Sequence, residues 1–371
     1  MITGQTGGAN AMTPHQLIDL LHSHSRYVAR RDGGKRAELV RQDLSGLRLK
    51  GVVLEGARLA GANLSGCDLT GANLRGADLF GARLDGATLA GADMERADLR
   101  GASLQEASLR YANLKEVDLR SGMLLHHGGD AATTRAMAQR PTHADLRGTD
   151  LQRANLTAAR LKDANLTGSN LRGATVTHAR FEGANLRGAV LADVNLPSAN
   201  FTGARYSAAS AELPFELQII LRDHAMWADS AGSRGVRALL RGVDLRGLNL
   251  AYAYLNGADL LGADLRGSNL ADSEFVLANL MEARLDQANL RKADLSGACL
   301  RAATLTGACL ERARFAAVDV KDAKGQPTGR SRATDLRGAD LTDADLSQTD
   351  LSTAIPVDAA PEPETDDLPR A

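Results

Sequence analysis

The chain has very few aromatic side chains: one Trp, five Tyr and six Phe in 371 residues. A core organised around large rings is therefore excluded, and small and medium aliphatics must supply the interior. Cysteine is scarce as well. Cys67, Cys299 and Cys309 show none of the short C-x-x-C spacings of zinc or redox motifs, and each stands where Ala, Asp or Asn recurs, so they read as fillers of a pattern. Neither sign of charge dominates. With 44 basic and 45 acidic side chains, direct nucleic-acid binding is not expected, and neither is a uniformly acidic surface. Long apolar runs are missing too: nothing approaches the roughly 18 residues of a membrane span. The start MITGQTGGANAMTPHQ lacks the apolar stretch of a secretory leader, so a cytoplasmic protein is expected.

Leucine, alanine and glycine are abundant instead, and they are periodic. In GANLSGCDLTGANLRGADLFGARL, residues 61 to 84, Leu64, Leu69, Leu74, Leu79 and Leu84 fall five apart. One phase runs from Leu39 to Leu124, broken in type only by Met94. It resumes from Leu146 to Tyr206, admitting Val176, Phe181 and Phe201, then from Leu240 to Val320 and from Leu336 to Leu351. A period of five is not a helical stripe, because at about 100° per residue each step turns the leucine by roughly 140° around the axis. An odd period is not one face of a strand either. Gly46, Gly51, Gly56, Gly61, Gly66, Gly71 and Gly76 recur two places after the leucine, where each would cost about 1 kcal/mol inside a helix. The chain must turn once per repeat. Two places before each leucine stands a small residue, as at Ala57, Ala62, Ala72, Ala77 and Ala82, usually followed by Asp, Asn or Arg. Leu and Ala then point inward, and each repeat is one short side of a coil whose neighbours must stack to bury it. Asp and Asn can bond to nearby amides in the tight turn.

The runs Ala62-Asn63-Leu64, Ala72-Asn73-Leu74 and Ala77-Asp78-Leu79 resemble the pentapeptide-repeat family, over most of the chain. The resemblance implies an all-β solenoid: a right-handed quadrilateral β-helix with four pentapeptides per coil and the Leu and preceding Ala inside.

The non-repeat segments are duplicated. LIDLLHSHSRY at 17 to 27 aligns with LQIILRDHAMW at 217 to 227, pairing Leu17 with Leu217, Leu21 with Leu221, His24 with His224 and Tyr27 with Trp227. After one inserted residue, Gly34, Arg36, Ala37 and Leu39 match Gly235, Arg237, Ala238 and Leu240. Each segment reads as a helix, with Thr13 and Pro14 opening the first and Pro214 in the first turn of the second. Leu17, Leu20, Leu21, His24 and Val28 share one face, as do Leu217, Ile220, Leu221, His224 and Ala228. Val53 and its counterpart Tyr254 are apolar at outward positions where Asp or Asn is usual. Each helix is therefore expected to cap or flank the coil that follows it, with His24, Tyr27, Val53, His224, Trp227 and Tyr254 at the junctions. The expected organisation is an N-terminal segment with a capping helix at 1–36, a first β-helix at 37–206 with a loop at 125–143, a linker with the second helix at 207–237, a second β-helix at 238–355 with a loop at 321–333, and an acidic disordered tail at 356–371.

Little in the sequence suggests chemistry. His22 with His24, and His126 with His127, have no Cys, Asp or Glu at a familiar metal-ligand spacing, and His24 and His224 read as packed cap histidines. The glycines follow the repeat and form no phosphate loop. A rod filled with leucine has no pocket, so catalytic residues, metal and cofactor are not expected. Loops projecting from the rod are where specificity would reside. The resemblance implies one further role, since the quinolone-resistance class of the family acts as dimeric DNA mimics on DNA gyrase, which would make this chain a homodimer. Against it, residues 37–124 carry 12 acids and 11 bases and residues 238–320 ten and nine. Only the end is acidic, with ten acids and two bases from Asp335 onward. The expected function is a non-enzymatic scaffold that binds a protein partner.

Overall fold

A computed structural model describes residues 12–122, 143–207, 212–321 and 327–359. The chain divides into two compact units, Met1–Ala211 and Glu212–Ala371, each with its own core.

Both units are stacks of parallel coils with 20 residues per turn. In the first, Glu38 bridges Arg58, Asp43 bridges Asn63, Arg48 bridges Asp68 and Val53 bridges Asn73, each pair one coil apart. Four bridges per coil define four sides, centred in the first coil on Leu39, Leu44, Leu49 and Leu54. The same register holds in the second unit, from Leu239 with Asp259 to Asp294 with Arg314, and the bridges across the next inserted segment, such as Arg314 with Asp350, join partners 36 residues apart. Each side is so short that it contributes a single bridge instead of a regular strand. Among the described residues, the only extended strands lie outside the coils.

The pentapeptide satisfies its own backbone almost completely. In the repeat around Leu64, the Ala62 N–H closes a turn onto Leu59 (2.9 Å), Asn63 donates to the coil before it at Gln42 (2.9 Å), and Leu64 and Gly66 donate to the coil after it at Arg83 (2.7 Å) and Asp85 (2.8 Å). That leaves the Ser65 N–H, which donates to Asn63 Oδ1 at 3.2 Å. The same side-chain turn recurs at Thr70 on Asp68, Arg75 on Asn73 and Arg100 on Asp98. Asp and Asn recur at this position because it is the one from which a short acceptor reaches the amide two residues on. Replacing Asn63 with Ala orphans that N–H and also breaks the bond from Asn63 Nδ2 to Asp43 Oδ1 (2.9 Å). The expected cost is about 1 kcal/mol in denaturant unfolding, and an unchanged midpoint would show the turn to be dispensable.

Leu and Ala fill the interior. Leu54, Leu59, Leu64, Leu69, Leu74 and Leu79 are fully buried, and so are Ala57, Ala62, Ala72 and Ala77. Aromatics enter the column in places: Phe181 stacks on Phe201 at 4.6 Å, and Phe201 meets Tyr206 at 4.8 Å near the end of the first stack. Cys67 replaces an inward Ala and donates to Leu44 O at 2.9 Å; burial raises its thiol to about 11, so it is an inert filler.

Helix α1 spans Pro14–Val28 and helix α2 spans Phe215–Asp229. Thr13 closes α1 with a capping box, its hydroxyl accepting the Gln16 N–H (3.3 Å) while Gln16 Oε1 accepts the Thr13 N–H (2.9 Å). Helix α2 has no such cap; Pro214 precedes it rather than sitting in its first turn, and Gln218 Nε2 donates to Leu213 O at 2.7 Å. No described helix is long and apolar enough to cross a membrane.

The structure corrects a second expectation. The segment read as a loop at 321–333 begins three residues earlier and is a hairpin, with β1 at Val318–Lys321 antiparallel to β2 at Pro327–Arg332. Val320, which extends the five-residue period from Phe315, is in β1 and not in the coil. Most of the segment at 125–143, the pair His126 and His127, Leu124 and most of the tail from 356 lie outside the described residues.

Candidate functional site

Of the six residues singled out in the sequence, His24, Tyr27, His224 and Trp227 lie in the two helices, whereas Val53 and Tyr254 lie on the coils. Leu17 is in the first core, with Leu20 and Leu21 packed against it, while Leu217 and Leu221 are in the second, with Ile220 against them. The apolar helix faces therefore pack against the cores of the two units. His24 and His224 are fully buried.

Each histidine makes the same bond. His24 Nδ1 accepts the N–H of Ala37 at 3.0 Å, and His224 Nδ1 accepts that of Ala238 at 3.1 Å. Ala37 and Ala238 are the first inward alanines of the two stacks. In later repeats this N–H finds the carbonyl three residues back, as Ala62 finds Leu59; at the start of a stack the imidazole takes that place. Accepting at Nδ1 puts the proton of the neutral ring on Nε2, which is buried and has no hydrogen-bond partner in either junction among the described residues. Each ring stacks on the aromatic three residues on, His24 on Tyr27 (5.8 Å) and His224 on Trp227 (5.5 Å).

Burial is the main cause lowering both imidazoles, His224 to about 4. A nearby cation adds to it, Arg36 in the first junction and Arg237 in the second. The backbone of Glu55 or Asn256 opposes it. Only His24 also faces a carboxylate, that of Glu55.

Val53 and Tyr254 are half-buried, on the fourth side of their coils, bridged to Asn73 and Glu274. The residues two places further on, Glu55 and Asn256, are the ones that face the imidazoles. The duplicated glycines and arginines also belong to the junctions. A Cβ on Gly34 would fall 2.6 Å from Tyr27 Cα, and one on Gly235 would fall 2.8 Å from Trp227 N with φ at 70°; the chain leaving each helix passes too close to it for any side chain. Arg36 Nε donates to Gly56 O at 2.5 Å and Arg237 Nε to Gly257 O at 2.7 Å, tying the entry strand to the next coil. The Arg237 guanidinium also lies 5.9 Å from the Trp227 ring centre.

Among the described residues the other histidines are not gathered into a site. His22 is exposed, His15 lies 3.8 Å from Asp19 on an exposed turn, and Ser121 Oγ is 2.8 Å from His143 Nδ1. Among the described residues no three His, Cys, Asp or Glu side chains could together hold a metal ion.

A sequence model of pentapeptide repeats matches residues 48–86, 82–120, 142–173, 169–205, 236–275, 278–315 and 332–355, well over half of the chain. The chain belongs to the pentapeptide-repeat family. Among solved pentapeptide-repeat proteins it is similar to HetL, a protein involved in heterocyst differentiation regulation in the cyanobacterium Nostoc, with 25% identity over 94% of this chain and 99% of that one and a TM-score of 0.24. It is similar to a pentapeptide repeat protein of the Arabidopsis thaliana thylakoid lumen, 33% identical over 33% of this chain and 69% of that one, TM-score 0.26. It also matches a trypsin-treated QnrB1, a plasmid-mediated fluoroquinolone resistance protein, at 21% identity over 46% of this chain and 81% of that one, TM-score 0.33. None of the curated proteins matches the chain. The matched segments leave out both helices and all of the two strands but Arg332.

Proposed function

We propose that this protein is a non-enzymatic scaffold: two tandem right-handed quadrilateral β-helices, at 37–206 and 238–355, each closed at its start by a helix and presenting its walls to a protein partner. The observation that carries this reading is the filled interior. Leu and Ala occupy the inward positions and are almost wholly buried, so binding groups are confined to the outward columns and corners. On this reading α1 and α2 act as caps, covering apolar coil ends that would otherwise be open to pairing with other chains. The carboxylates are spent on the repeat itself. Asp98, Asp244 and Asp264 each hold the amide and guanidinium of the Arg two residues on, and such exposed pairs organise a surface without forming a reactive centre.

Affinity capture from source cells with the full chain as bait is expected to return a stoichiometric partner, and a bait that retains none would refute the scaffold. The second reading, a DNA mimic acting on gyrase, draws support from the acidic last coil, where Asp340, Asp345 and Asp350 point outward. The charge balance elsewhere favours the scaffold, so the purified protein is expected to leave gyrase supercoiling unchanged. Strong inhibition, or protection from a quinolone, would reverse the order of the two readings.

A further inference from the structure

The stretch 144–206 is the part of the repeats with a basic bias, five acids to eight bases. The bias has a focus at the corner between the third and fourth sides of the first stack. There the turns Arg110-Tyr111, Gln152-Arg153 and Arg172-Gly173, from three successive coils, line a recess of about 290 Å³ together with Asp193. Tyr111 is 56% exposed and has a left-handed φ of 60°, in the column where the preceding coils place Gly51, Gly71 and Gly91. A large ring is thus held at the corner in a backbone conformation that costs a side chain roughly 1 kcal/mol.

Two of the three arginines are neutralised. Arg172 Nε is 3.2 Å from Asp193, and Arg110 is 3.7 Å from Asp150 while also donating to Gln152 Oε1 at 3.4 Å. Arg153 differs. Its guanidinium lies 5.9 Å from the Tyr111 ring centre, and no carboxylate among the described residues is within ion-pair distance of it. An aromatic face holds the cation in place without cancelling its charge.

We propose that this recess is a docking site for an acidic peptide segment of a protein partner, which deepens the scaffold reading and rests on it. Arg153 receives a carboxylate of the peptide, and Tyr111 packs against the peptide backbone. Dimensions favour a peptide. Coils stack about 4.8 Å apart, so three turns span roughly 10 Å, the length of about three extended residues. A nucleic-acid strand needs a basic track along many phosphates, whereas the column of Arg110, Gln152 and Arg172 gives way to Ala90 and Thr70 on one side and to Ala192 on the other.

The test is fluorescence anisotropy with the full chain and a labelled oligo-glutamate peptide, against oligo-lysine and an oligothymidylate of equal length. Binding of oligo-glutamate alone is expected. Arg153→Glu should weaken it by at least about tenfold, and Tyr111→Gly, which the left-handed turn accepts, by a few-fold. Arg153→Glu should melt at the wild-type temperature, and Tyr111→Gly, relieved of the left-handed strain, no lower than it. Arg284→Glu, a reversal on a wall of the second unit, should leave binding unchanged. Tighter binding of oligothymidylate, or an equal loss from Arg284→Glu, would overturn the proposal. If captured partners are retained equally by Arg153→Glu, the recess is refuted and the scaffold stands; if oligo-glutamate binds through Arg153 but no partner is captured, the scaffold fails and the site remains.

Discussion

Leu79→Asp is expected to break the first unit in its middle. Leu79 is fully buried, with coils stacked on both sides of it. The substitution forfeits the burial of a leucine, about 1.5–3 kcal/mol, and places a carboxylate among Leu and Ala where no donor is available. The two effects together are on the order of 5 kcal/mol, which matches the whole stability of many domains. In a stack where each coil touches only its neighbours, the damage should be local first. Limited proteolysis should therefore cut near residue 79 while coils further along remain protected in hydrogen exchange. Thr88→Asp, an exposed outward position two sides further along the same coil, is the control, with an expected change within about 0.5 kcal/mol. Equal destabilisation by both substitutions would mean that burial of the leucine column is not what holds the stack together.

How much of this was legible in the sequence depends on the distance over which each feature is specified. The coil was readable because it is local: an inward Leu, a small residue two before it and a Gly two after it recur within five residues. The role of Asp and Asn was readable for the same reason, since Ser65 reaches Asn63 across two residues. The bond between His24 and Ala37 spans 13 residues and leaves no periodic trace. The duplication did mark it, because Ala37, Arg36 and Gly34 all have partners 201 residues on, yet the alignment could not say which of the paired residues touch. The hairpin was hidden by coincidence, Val320 falling five places after Phe315. The basic corner was hidden by the segment inserted after residue 122. It separates Arg110 from Gln152 by 42 residues instead of 20, so the column they share exists only once the register across the insertion is known.

Acid is expected to destabilise the second unit through His224. The imidazole sits near 4 in the folded protein, mainly because it is buried and partly because Arg237 is close, whereas an unfolded histidine titrates at about 6.5. The folded state thus keeps the ring neutral where the unfolded state takes up a proton. Stability from this group is complete above about pH 6.5 and falls as the pH drops towards 4, by about 3 kcal/mol in total. Protonation would also put a hydrogen on Nδ1, opposite the Ala238 N–H that it accepts, so the charged form loses the bond that starts the stack. The groups facing the ring allow no easy escape: Trp227 stacks on it, Arg237 repels the charge and only the Asn256 backbone favours it. His24 is lowered in the same direction, but Glu55 stands where the second junction has Asn256 and stabilises the cation, so the first unit should respond less steeply. The discriminating variant is His224→Gln, whose side-chain carbonyl can still accept an N–H but does not titrate. Unfolding midpoints measured between pH 7 and pH 4 should fall more steeply for the wild type than for this variant. Parallel curves would place the acid sensitivity elsewhere, among carboxylates such as Asp335, which is held at about 2 by Arg337 and Arg301 despite its burial.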